Sequence, residues 1–239
     1  MYNRPSKKKD DRGGLHMSDI LGHGIYSIGE AARYTGISPR TLYSWFRDPR
    51  RNVFVSDYVD DTQLEAISFY DLIDCLVVAD LRHFRISMQH IRQVKSIFSQ
   101  RFATPHPFCH KGFFIDVSKR RILDTIKDSD GSRFLVDAIT GQGEIEKAIE
   151  PHLRKIDYSN TTKLARLWRI YTGIEINPEV RFGKPVIAGT NLTSKIIAMQ
   201  YYAYDRNAGH VSEMHNIKRA QVLNAVRFEV LKGTVKRAA

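Results

Sequence analysis

The chain has 239 residues, 42% of them apolar, and a formal net charge of +11. That length and apolar share suit one or two packed domains and exclude an intrinsically disordered chain. The charge favours a polyanionic partner, nucleic acid before a membrane surface, because no Lys/Arg-striped helix with an aromatic and leucine face stands out.

The two cysteines, Cys75 and Cys109, lie far apart without CxxC spacing, which argues against a disulfide framework or a cysteine zinc site. No apolar run approaches the ~20 residues of a membrane span. The N-terminus opens with RPSKKKDDR rather than an apolar signal core, so a cytoplasmic location is expected. Residues 1–24 are polar, basic and glycine-containing and are expected to form a disordered arm.

From Ser27 to Phe46 the sequence specifies two capped helices. Ser27 and Glu30 have the spacing of a capping box, and Ile28, Ala31 and Ala32 share one helical face. Gly36 suits a sharp turn, Ser38 a second N-cap and Pro39 the first helical position. In the second helix Leu42 with Trp45 or Phe46 faces inward. Ser38, Arg40, Thr41, Tyr43, Ser44 and Arg47 remain available for DNA, with Arg50 and Arg51 in a short wing-like loop.

Ser68-Phe-Tyr-Asp begins a third helix carrying Leu72, Ile73, Leu76, Val77 and Leu81, and Ser87 caps a fourth with Ile91, Val94 and Phe98. Aromatic and β-branched residues from Phe108 to Leu123, broken at Ser118-Lys119, predict a β-hairpin. His106, Cys109 and His110 are neighbours, but no second cluster completes a four-ligand set, so no metal and no cofactor is expected. A helix through Ile145 and Ile149 is expected before Pro151, and Leu164 to Tyr171 fits helix or strand equally.

Asn177-Pro178 and Gly183-Lys184-Pro185 to Gly189-Thr190 specify a tight loop. GxxxxGK[ST] is absent, so the Gly-Lys pair is not a phosphate loop. Helices from Thr193 to about Tyr204, near Val211 to Met214 and from Lys218 onward complete a trihelical unit. No carboxylate series suggests a nuclease, and Cys109 is the sole nucleophile beside histidines, so the chain is not expected to be an enzyme.

The N-terminal pair resembles MerR-type regulators through Tyr26, Ile28, Glu30, Ala32, Gly36, Ser38, Thr41, Leu42 and Trp45. The next pair resembles their second helix pair through Ser68-Phe-Tyr-Asp-Leu72 and Ile86-Ser87, with Arg85 where the family usually has glycine. The C-terminal segment resembles a small bacterial module of unknown function through Ile176, Asn177, Pro178, Gly183, Lys184, Pro185, Ile187, Gly189 and Thr190, with Asn191 where arginine is usual.

Together these resemble the larger VapB-type antitoxins. The resemblance implies a mainly α fold with a small β-hairpin: a MerR-like winged helix-turn-helix domain (25–103), a linking region (104–172) and a C-terminal trihelical helix-turn-helix module (173–239). It further implies a type II antitoxin and autorepressor that acts as a homodimer or higher hetero-oligomer. Its partners would be a PIN-like, VapC-type ribonuclease and operator DNA. The alternative is a stand-alone MerR-like transcription regulator.

Overall fold

Tyr26–Ser27 (β1) and Ala66–Ile67 (β2) pair antiparallel and bracket two helices, Ile28–Thr35 (α1) and Pro39–Arg47 (α2). The computed structural model describes residues 22–48, 52–58, 66–111, 113–116, 121–127, 133–140, 143–144 and 155–234. Most of the expected basic arm, Arg50, Arg51 and the helix expected through Ile145 and Ile149 therefore lie outside the described residues.

The predicted caps form. Ser27 Oγ accepts from the Glu30 amide at 3.2 Å while Glu30 Oε2 accepts from the Ser27 amide at 3.1 Å, so each side chain satisfies an amide the helix end leaves free. Gly36, at φ 78°, closes α1 through a 2.9 Å bond from its amide to the Ala32 carbonyl. Ser38 then caps α2.

Helices Phe69–His83 (α3) and Met88–Arg101 (α4) follow. Of their predicted inner faces, Leu72, Ile73, Val77 and Leu81 on α3 and Ile91, Val94 and Phe98 on α4 are fully buried, while Leu76 is only partly buried against the core. Arg85, at the usual glycine position between them, holds φ 62°, a backbone conformation glycine adopts more easily.

The strand content exceeds the single hairpin expected. Phe113–Asp116 (β3) and Arg121–Lys127 (β4) are that hairpin, starting later than Phe108, which lies in the 3-10 turn Pro107–Cys109. Arg133–Asp137 (β5) and Gly143–Glu144 (β6) extend it to a four-stranded antiparallel meander. Ile156–Tyr158 (β7), Ala165–Tyr171 (β8), Ile174–Ile176 (β9) and Val186–Ile187 (β10) form a second one.

The ambiguous segment is thus strand β8. Its buried residues, Ala165, Leu167, Trp168 and Ile170, depart from two-residue alternation at Leu167–Trp168, between register shifts in its ladders with β7 and β9.

Ser194–Ala203 (α5), Ala208–His215 (α6) and Arg219–Leu231 (α7) close the chain. One apolar core runs from Tyr26, Leu42 and Phe69 to Trp168, Ile197 and Phe228, so the N-terminal helices and the C-terminal segment share an interior. No helix among the described residues is long and apolar enough to cross a membrane.

Candidate nucleic-acid interface

Helix α2 has two chemically distinct faces. Leu42, Trp45 and Phe46 are buried beneath it. Arg40, Tyr43 and Arg47 are exposed, and at 100° per residue they fall within a narrow arc on the opposite side. Tyr43 keeps 47% of its surface accessible, which nothing in the fold requires.

The hydroxyls proposed beside them are differently placed. Ser38 Oγ accepts from the Thr41 amide at 3.1 Å and shares a 2.8 Å hydrogen bond with Thr41 Oγ1. Ser44 Oγ donates to the Thr41 carbonyl at 2.8 Å. Ser38, Thr41 and Ser44 thus spend their hydroxyls on the helix itself, leaving Arg40, Tyr43 and Arg47 as the outward-facing set.

The chain beyond α2 folds back against it. The Val53 and Phe54 amides both donate to the Trp45 carbonyl, at 2.7 and 3.0 Å. Phe54 packs edge-on against Trp45 and tilted against Phe46. Helix α4 holds this return from outside: Lys95 Nζ donates to the Val53 carbonyl at 2.7 Å and lies 5.1 Å from the Phe54 ring centre, and Arg92 Nε donates to the Asn52 carbonyl at 3.1 Å. Burial lowers the Lys95 ammonium from its ordinary value against the opposing pull of Asp74 and Asp71. Between these segments lies an open cavity of about 310 Å³ lined by Asn52, Phe54, Arg92, Lys95 and Ser99, among others.

Of the C-terminal signature residues, Asn177, Pro178, Gly183 and Pro185 are buried, Lys184 and Thr190 part-buried, and Gly189 exposed. Asn177 Oδ1 accepts from the Glu179 amide, and Asn177 and Pro178 are buried. Gly183 sits at φ 77° against Tyr26: a Cβ there would stand 2.0 Å from the Tyr26 hydroxyl. Lys184 Nζ meets Glu30 Oε1 at 2.5 Å. The Pro185 carbonyl accepts from the Ser194 amide, fixing the start of α5. Gly189, at φ 76°, turns the chain beside Thr190, whose hydroxyl donates to the Ile187 carbonyl and accepts from the Leu192 amide.

This Gly-Lys pair is therefore a clamp on the N-terminal unit. The Ile25 amide adds a bond to the Phe182 carbonyl, and Lys232 Nζ donates to the Tyr34 carbonyl. Tyr26, which the sequence marks only as a match to the MerR-type pattern, and Glu30, which it marks as a cap, are the residues that receive the clamp. Burial would raise the Glu30 carboxyl, but the hydrogen bonds from Lys184 and the Ser27 amide outweigh it and hold it below its ordinary value.

Cys109 is fully buried, and burial pushes its thiol well up. His110 stacks on Phe102 with ring centres 4.0 Å apart.

Residues 174–228 match the family model described as a protein of unknown function, DUF433. Over 84% of this chain and 96% of the other, the fold is similar to the crystal structure of Rv2018 from Mycobacterium tuberculosis, with a TM-score of 0.58 and 16% identity. No curated protein matches the chain.

Proposed function

We propose that this chain is the antitoxin of a type II pair, with operator DNA and a PIN-like, VapC-type ribonuclease as partners, and that it represses its own operon as a dimer. One observation carries the DNA half of this reading. Helix α2 presents Arg40, Tyr43 and Arg47 away from its buried face, in a chain of net charge +11. Arginines on an exposed helix face reach base edges or phosphates, and the tyrosine adds a hydroxyl and a flat ring. In this reading α1 and α2 form a MerR-like helix-turn-helix and α2 enters the major groove, two copies reading half-sites about one DNA turn apart.

The toxin half rests on the C-terminal segment. Its signature lysine is engaged with Glu30, so a nuclease would meet other groups. On α5, Lys195, Ile196 and Met199 are exposed together, Ile196 at 51% and Met199 at 56%. An apolar patch beside a cation suits a partner whose active site is lined by carboxylates.

The test is to express the chain with its flanking reading frame and identify what co-purifies. A small protein whose ribonuclease activity appears only after separation supports the antitoxin. A lone chain that still shifts its own promoter DNA is instead a stand-alone regulator, for which the cavity beside Lys95 would be the place to seek an effector.

A further inference from the structure

Three segments far apart in sequence bring acidic side chains around one histidine. Asp57 lies in the return after α2, Asp71 and Asp74 on the first turns of α3, and His106 immediately before the turn Pro107–Cys109. Asp71, Asp74 and His106 are buried. His106 Nδ1 lies 3.0 Å from Asp74 Oδ2, and Nε2 lies 3.1 Å from Asp57 Oδ1.

Asp71 uses only one of its oxygens. Oδ2 accepts from the Ser68 amide, the Asp57 amide and Ser56 Oγ at 3.0–3.1 Å. Oδ1 is buried with no hydrogen-bond partner among the described residues, and it points into the cluster 3.9 Å from His106 Nδ1. A buried carboxylate oxygen left without a donor is costly, and three carboxylates around a single imidazole leave an excess of negative charge. Lys95 on α4 acts on Asp71 and Asp74 only at long range, its ammonium being bonded to the Val53 carbonyl.

We propose that Asp57, Asp71 and His106 form a site for a divalent metal ion, Zn²⁺ or Mn²⁺. One ligand atom from each lies within 4.8 Å of the others. Two carboxylate oxygens and one imidazole nitrogen suit these ions, with water completing the shell. Asp74 is the positioning residue: it accepts from Nδ1–H and so turns Nε2, which donates to Asp57 Oδ1 in the metal-free site, toward that carboxylate, the arrangement that orients metal-bound histidines. On binding, Nε2 releases its proton to solvent and the ion takes the place between Nε2 and the two carboxylates. Cys109 stays outside the set, its thiol donating to the Tyr70 carbonyl at 3.2 Å. The ion would fasten the return after α2 to α3 and to the His106 segment, and so steady α2 from behind.

A sequence search for a second His/Cys cluster finds nothing because the missing ligands are aspartates, one of them in a capping box. The test uses the full chain, stripped with chelator and titrated with ZnCl₂ or MnCl₂ by calorimetry, with the thermal midpoint followed in parallel. The expected result is one equivalent per chain and a raised midpoint. Asp71→Asn should weaken binding at least tenfold while far-UV circular dichroism stays unchanged. Asp57→Asn, at a side chain 33% exposed, should do the same and serves if the first variant misfolds. No uptake of either ion by the wild type, or uptake that both variants retain, overturns the site.

Discussion

Lys184 Nζ lies 2.5 Å from Glu30 Oε1 across 154 residues of sequence, joining the signature loop of the C-terminal segment to the capping box of α1. Glu30 thereby does two jobs, one oxygen holding the Ser27 amide and the other the lysine. Both side chains are part-exposed, so Lys184→Met should cost at most about 1 kcal/mol. Because the Glu30 carboxyl is held below its ordinary value of 4.5, the bridge contributes fully above that value and is lost as pH falls through the lower folded value. The gap in thermal midpoint between wild type and Lys184→Met should be present at neutral pH and shrink below about pH 4. A gap unchanged in acid would show that the lysine acts through packing alone.

Gly183 and Gly189 make a matched pair for substitution by alanine. Both have φ near 77°, so both incur the left-handed backbone cost of about 1 kcal/mol. A Cβ on Gly189 meets nothing within 4 Å, whereas one on Gly183 collides with the Tyr26 ring. Gly183→Ala should therefore lose at least about 1 kcal/mol more than Gly189→Ala in urea titrations. Equal losses would mean that Tyr26 moves aside freely.

Tyr26 itself has a buried hydroxyl with no hydrogen-bond partner among the described residues. Removing a buried group that satisfies nothing is cheap. Tyr26→Phe should be as stable as wild type, within about 1 kcal/mol, or more stable. A large loss would reveal a partner for the hydroxyl.

If the proposed DNA reading holds, Arg40→Ala with Tyr43→Ala should weaken binding to the chain's own promoter DNA about tenfold or more, and the slope of log affinity against log salt should fall by about one. Fluorescence anisotropy over a salt series measures both. Unchanged affinity would remove α2 as the reader and pass that role to the C-terminal trihelical unit, α5 to α7.

Cys75 and Cys109 are both fully buried, with thiols pushed well up by burial. Neither should react with a thiol reagent in the folded chain, and both should react in urea. Fast labelling of the native protein would mean that the α3 region opens readily.

Local chemistry was plain in the sequence. The caps at Ser27, Ser38, Ser68 and Ser87 all form, because each depends on residues within three positions. The helical stripes of α3 and α4 were legible for the same reason. The strand β8 was not, because its bulge disguises the alternation. The signature loop announced a tight turn at Gly183 but not its receiver, since nothing near residue 183 names Tyr26. The aspartate–histidine cluster was hidden for the same reason: Asp71 looks like a cap until the fold sets His106 beside it.

The joining of Tyr26, Glu30 and Tyr34 to residues 182–232 also governs how the chain is made. During synthesis these N-terminal side chains leave the ribosome long before Phe182, Gly183, Lys184 and Lys232 exist to cover and bind them. Contacts this distant in sequence close late, so the nascent helix pair waits with an aromatic flank exposed. That interval, rather than the finished molecule, is when the chain is most open to proteases and to self-association.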